Sequence, residues 1–185
     1  MTDAFAELGV PRRPHVDPTL VEARFRERAA SSHPDRNGGD AAALTRLNAA
    51  RKTLSSEASR LRHLLEITFP AFTPEPGLSP DFEMFSLVGG LSQSAEALAA
   101  KRDLATSSIA AALLQKETVA LQTSLQAAAK TLAARQHDLS EKIRAIDAGW
   151  PDVPAATLAE LAENAAFCEK WSESLRRAGV RLLGG

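Results

Sequence analysis

Apolar residues recur along this chain at spacings of three and four, the period of one helix face. Phe5 and Leu8 share a face of a short helical stretch over 3–8, which Gly9 ends with Pro11 just beyond. A loop over 12–16 leads to Asp17-Pro18, an N-cap with proline at the first helical position. Val21, Phe25, Ala29 and Ser32 then form the buried stripe of a helix. Pro34 lacks an amide hydrogen and drives His33 out of the α region, so this helix is expected to end near Ser32. Gly38-Gly39 supplies a turn, and Asp40 is an N-cap for a second long helix expected to run to about Ile67. Leu44, Leu47, Leu54, Leu61, Leu64 and Leu65 outline its apolar side, and Ser55-Ser56 weakens its middle. The pattern predicts two antiparallel helices joined by a loop and braced by a short first helix.

Beyond residue 69 the pattern changes. Pro70, Pro74, Pro76, Pro80 and Gly77 make a stiff non-helical linker over 70–80. Ser79-Pro80-Asp81 is expected to open a helix, with Ser79 as N-cap. Phe82, Phe85, Leu87, Val88 and Leu91 follow, interrupted by Gly89-Gly90, which costs about 2 kcal/mol relative to two alanines. Between Leu91 and Ala148 there is neither Gly nor Pro. A single helix of that length would extend ~85 Å and could not bury its own stripes. A fold-back is therefore expected near 101–108, where Asp103, Thr106, Ser107 and Ser108 offer N-caps. Leu98, Ile109 and Leu113 form one stripe. Leu121, Leu125, Ala128, Leu132, Leu139, Ile143 and Ile146 form another, in near-heptad spacing. Gly149-Trp150-Pro151 breaks the helix, Asp152 is the expected cap of the last one, and Gly179 its expected end. The fold class read from this pattern is all-α, a helical hairpin over 1–69 followed by an antiparallel three-helix bundle over 81–185.

Composition agrees. Apolar residues make up 44% of the 185, enough for a core, while aromatics are 5% with no Tyr, which favours close-packed helices. Net charge is −1, which speaks against nucleic acid or an anionic membrane as partner. The charge is uneven: residues 1–70 hold 11 Lys/Arg and 9 Asp/Glu, net +2, leaving net −3 for the rest. The lone Cys168 excludes an internal disulfide and Cys-pair zinc sites, and His15, His63 and His137 lack ligand spacing; no metal or cofactor is expected. No apolar signal core opens the chain and no run reaches membrane-spanning length, so the expected setting is cytoplasmic.

The chemistry-bearing stretch is His33-Pro34-Asp35-Arg36, displayed between two helices. Asp35 can accept from a partner's arginine, and His33 can donate or accept one hydrogen bond. Arg24, Arg26 and Arg28 on the preceding helix offer guanidinium forks to an acidic groove. Read from the residues alone, a plainer account stays open: Asp35 a turn former, His33 a helix-end residue favoured by the dipole, the arginines a solvated face. A His–Asp catalytic pair would need a nucleophile or metal, and none is indicated.

Between two such helices, His-Pro-Asp is the marker of J-domains, which this stretch resembles. The flanks are similar to those of HscB-type co-chaperones: Asp3 to Pro11, Asp17 with Leu20, the Arg24-Phe25 pair, Leu47-Asn48-Ala49-Ala50, Lys52-Thr53-Leu54, Arg60, and Leu64-Leu65. The resemblance implies a J-domain at 1–69 that binds a DnaK/HscA-type heat-shock chaperone through His33, Pro34, Asp35, Arg36 and the three helix arginines, and stimulates its ATPase. It implies no catalysis by the chain itself. It further implies that the bundle delivers a client, an iron–sulfur scaffold protein, using Phe82, Phe85, Leu87, Val88 and Leu91, although an amphipathic stripe is ordinarily core. The acidic Met-Glu-x-Arg-Glu-like run of the family's corresponding helix is replaced by Met84-Phe85-Ser86-Leu87-Val88, and the zinc-binding Cys pairs of some relatives are absent. Ser32, Arg51 and His63 stand where the family has aromatics, a loss of about 1–3 kcal/mol of packing each unless compensated. The alternative is a helical scaffold protein whose J-like domain no longer activates a chaperone. Both a monomer and a dimer through an unburied stripe fit the pattern.

Overall fold

The computed structural model describes residues 2–31, 41–74, 81–105 and 107–183. Seven helices and no strand occur among the described residues, so the all-α reading holds. They form two compact units. One comprises Met1–Gly77 with Leu139–Ala166, the other Leu78–Asp138 with Phe167–Gly185.

In the first unit α1 (Ala4–Leu8) is short and capped at both ends. The Asp3 carboxylate accepts from the Phe5 and Ala6 amides at 2.9 and 3.3 Å. Gly9 closes the helix in the left-handed region, φ 66°, a conformation that disfavours any Cβ. Helix α2 (Pro18–Ser31) starts at the expected proline, with the Asp17 carboxylate accepting from the Thr19 amide at 2.8 Å. Val21 is buried and Phe25 and Ala29 are half-buried, as the stripe requires.

The second long helix is in fact two, α3 (Ala41–Ser55) and α4 (Glu57–Thr68). Ser56 is extended (φ −95°, ψ 129°), and its hydroxyl accepts from the Ser59 amide at 3.0 Å, an N-cap in mid-pattern. Arg60 stabilises the break. Only 3% exposed, it donates to the Leu54 carbonyl at 2.8 Å, one of those left without a helical partner, and to Pro14 at 3.0 Å. The core joins Phe5, Leu8, Val21, Leu54, Leu61 and Leu64 to Leu139, Ile143, Leu158 and Leu161. Asp147 completes this unit, accepting from the His15 amide at 3.1 Å and lying 3.5 Å from Arg13 Nε.

The second unit is built on α5 (Phe82–Asp103), α6 (Ser108–Ala148) and α7 (Ala155–Leu183); α6 and α7 also supply the first unit's residues 139–166. Contacts between Asp81 and Arg135, Gln136 and Ser172, and Arg102 and the Leu182 carbonyl make α5 and α7 run together and α6 against them. The fold-back falls where expected, with the Ser107 hydroxyl accepting from the Ala110 amide at 3.2 Å. Met84, Val88, Ala95, Leu98, Leu125, Leu132, Trp171, Leu175 and Leu182 form the core.

Four local expectations differ. Asp81 caps α5, accepting from Met84 N at 3.0 Å, while Ser79 lies outside the described residues. Helix α7 begins at Ala155, because the Pro154 carbonyl takes the Leu158 amide (3.3 Å), whereas the Asp152 amide donates to the Gly149 carbonyl. Gly179 does not end α7, which continues so that Leu182, 1% exposed, can reach the core. Of the Leu98, Ile109 and Leu113 stripe only Leu98 is buried; Ile109 and Leu113 are exposed.

Candidate functional site

Most residues of α2 are exposed. His33, Pro34, Asp35 and Arg36 follow α2 directly but lie outside the described residues, as do Ser32 and the expected cap Asp40. The helix arginines are described, and they separate into different roles. Arg26 is exposed. Arg24 is exposed and pairs with Glu27 at 2.9 Å, a surface contact worth at most about 1 kcal/mol and open to exchange with a partner's carboxylate. Arg28 turns the other way: its guanidinium donates to the carbonyls of Ala6 (3.2 Å) and Glu7 (2.6 Å) at the end of α1. It packs so closely on Gly9 that a Cβ there would meet Arg28 Nη2 at 2.4 Å. Arg28 is thus committed to holding α1 against α2.

Two of the three departures from the aromatic pattern are compensated, which the sequence did not disclose. Arg51 lays its guanidinium 4.5 Å from the centroid of the Phe25 ring and sits 3.5 Å from Glu22, a cation–π contact replacing aromatic packing. His63 is buried and stacks on Phe5 with centroids 5.8 Å apart, while its Nε2 accepts from the Ala4 amide at 2.9 Å. Nearby, burial pushes the Asp3 carboxyl up, but the Arg12 hydrogen bond (2.7 Å) and the Ala6 and Phe5 amides outweigh it and hold the group below the ordinary range.

The five apolar residues at the start of α5 split by helical phase. Val88 is 4% exposed and belongs to the core, and Leu91 packs partly against it. Phe82, Phe85 and Leu87 are 73%, 55% and 45% exposed. Phe82 and Phe85 lie three apart and so occupy neighbouring positions on α5, with Phe85 at the margin of the stripe that buries Met84 and Val88. Gly89 and Gly90 follow, and a Cβ at either would meet nothing within 4 Å. The glycines therefore serve no close packing inside this unit. The Asp81 carboxyl at the helix start is held below its ordinary value, first by the Met84 amide and then by Arg135.

A J-like hairpin bearing His-Pro-Asp after an arginine-rich helix, in a chain completed by a helical bundle, is the layout of HscB-type co-chaperones. No family model matches the chain. The Co-chaperone protein HscB homolog of Chromobacterium violaceum is 35% identical over 74 residues, a match spanning 36% of this chain and 42% of that protein. Among solved structures, Chaperone HscB from Vibrio cholerae superposes over 95% of this chain and 96% of its own, with a TM-score of 0.54 at 18% identity. The chain is thus HscB-like, in fold over nearly its whole length and in sequence over less than half of the relative it matches.

Proposed function

We propose that this protein is a non-catalytic co-chaperone of the HscB type. His33, Pro34, Asp35 and Arg36, with the exposed Arg24 and Arg26 of α2, engage a DnaK/HscA-type heat-shock chaperone in the cytoplasm and accelerate its ATP hydrolysis. Residues 1–69 act as the chaperone-facing J-domain, and residues 81–185 carry the client, an iron–sulfur scaffold protein. The observation behind this reading is the His-Pro-Asp motif directly after a helix whose Arg24 and Arg26 face solvent, in a chain with the HscB fold. Such a protein acts by biasing the partner's conformational equilibrium, binding one state more tightly than the other. Phe82, Phe85 and Leu87 are the client-contacting residues, since each is large, apolar and exposed, Phe82 and Phe85 on one side of α5 and Leu87 on another, while Val88 and Leu91 hold the helix to its bundle.

The test is the ATPase rate of a purified DnaK-type chaperone with wild type and His33→Gln. Stimulation that vanishes in the variant, with unchanged circular dichroism, supports the reading. Equal stimulation by both removes the motif from the mechanism, and none by either favours a helical scaffold protein without chaperone activation. Client delivery is tested separately, by capture of the scaffold protein on wild type and on Phe82→Ser/Phe85→Ser.

A further inference from the structure

A cleft of about 410 Å³ among α1, α3 and α4 involves neither surface described above. Ala49 and Ala50 give it an apolar wall. His63 lines it and is 7% exposed. Because Nε2 accepts the Ala4 amide, the neutral ring carries its proton on Nδ1. The nearest acid, Glu66 Oε2, stands 4.0 Å from Nδ1, beyond hydrogen-bond reach. No described residue lies within hydrogen-bond reach of this donor, which is open to solvent through the cleft and not orphaned in the core, and the stack on Phe5 fixes its direction. Of the two arginines lining the cleft, Arg46 pairs with Glu7 at 3.5 Å, whereas Arg62 is exposed.

We propose that this cleft binds a carboxylate borne on a peptide, with His63 Nδ1–H donating to one oxygen and the Arg62 guanidinium to the other. A carboxylate's two oxygens suit one N–H and one fork. Glu66 is the intramolecular competitor: its side chain is 55% exposed, close enough to oppose an anion but stopping short of the donor. A doubly charged phosphate is disfavoured by that acid beside a single uncommitted arginine. The site is independent of the chaperone reading and stands or falls without it.

The experiment uses the full chain with ¹⁵N-labelled histidine, observed by NMR. The probe is N-acetyl-glutamate N-methylamide; its glutamine analogue and sodium acetate are the controls. We expect a saturable shift of His63 Nδ1 with a dissociation constant of about 1–10 mM, the range of a single anchoring group. The glutamine analogue should bind at least ~5-fold more weakly, as loss of a charge-assisted bond implies. Arg62→Gln, at an exposed position, should weaken the probe about 2–5-fold. Glu66→Gln should tighten it. Absence of a saturable shift, equal binding of the glutamine analogue, an unaffected Arg62→Gln, or a Glu66→Gln that does not bind more tightly would each overturn the proposal. Acetate binding as tightly as the probe would overturn the peptide assignment.

Discussion

Arg28 shows how exposure alone misassigns a charged side chain. It lies in the arginine set that the sequence offers to a chaperone, yet its guanidinium is spent on the Ala6 and Glu7 carbonyls. Those carbonyls sit at the end of a five-residue helix, too short to persist without tertiary support. Arg28→Ala removes both hydrogen bonds. At about 0.5–1.5 kcal/mol net for each, and with the site open to water, the expected loss is about 1–2 kcal/mol of stability. Arg28→Lys retains one donor direction and should recover about half of that loss. Gly9→Ala should act on the same contact from the other side, since its Cβ would meet Arg28 Nη2 at 2.4 Å and its φ of 66° is unfavourable for alanine. The assay pairs urea denaturation, followed by circular dichroism, with affinity for the chaperone. Arg24→Ala and Arg26→Ala should lower affinity with stability unchanged. Arg28→Ala should lower stability, with affinity near wild type under conditions where the protein stays folded. An Arg28→Ala protein of wild-type stability that binds as poorly as Arg24→Ala would refute this assignment.

Further expectations follow from the same geometry. Arg60→Met keeps the buried stem but strands the Leu54 and Pro14 carbonyls; at about 1–3 kcal/mol for each unsatisfied buried group, it should lose ~2–6 kcal/mol in denaturant titration. Asp3 has a folded-state pKa below its unfolded one, so its contribution is present above the ordinary carboxylate range and fades as pH falls through the lowered value. Asp3→Asn, which still caps a helix but carries no charge, should therefore lose that contribution at neutral pH and approach wild type at low pH, flattening the acid limb of a stability–pH curve. Phe82→Ser/Phe85→Ser should leave the melting temperature near wild type, because both rings are exposed, and abolish scaffold capture. Val88→Ser should do the reverse, destabilising the bundle because it buries a hydroxyl at a 4% exposed site.

Where a hydrophobic stripe and a breaker coincide, the sequence was a good guide. Proline at position 18, glycine at 9 and the serine cluster before Ile109 each mark a helix boundary found in the structure. The break at Ser56 was harder to read, because Leu54 and Leu61 stay in phase across it. Ser55-Ser56 marked a weak point there, and Ser56 caps α4, but the full break is also held by Arg60 reaching back to a carbonyl and to the distant Pro14, a tertiary contact that leaves no local periodicity. The long stripe of α6 was legible as buried but not as divided: Leu125 to Leu132 belong to one core and Leu139 to Ile143 to another. In the candidate site, the motif and the solvent-facing arginines were legible as residue types. The commitment of Arg28 to α1, the Arg51–Phe25 contact and the His63–Phe5 stack were not, since each joins elements distant in sequence.

The paired glycines of α5 have a dynamic consequence. Each costs about 1 kcal/mol against alanine, and the open space around both means that no packing offsets the cost. The first turns of α5 are therefore easier to open than the stretch beyond residue 90, and their amides should exchange with deuterium sooner than those near Leu98. A partner gripping Phe82 and Phe85 would meet a yielding segment, and its arrival would register as slowed exchange at Gly89 and Gly90.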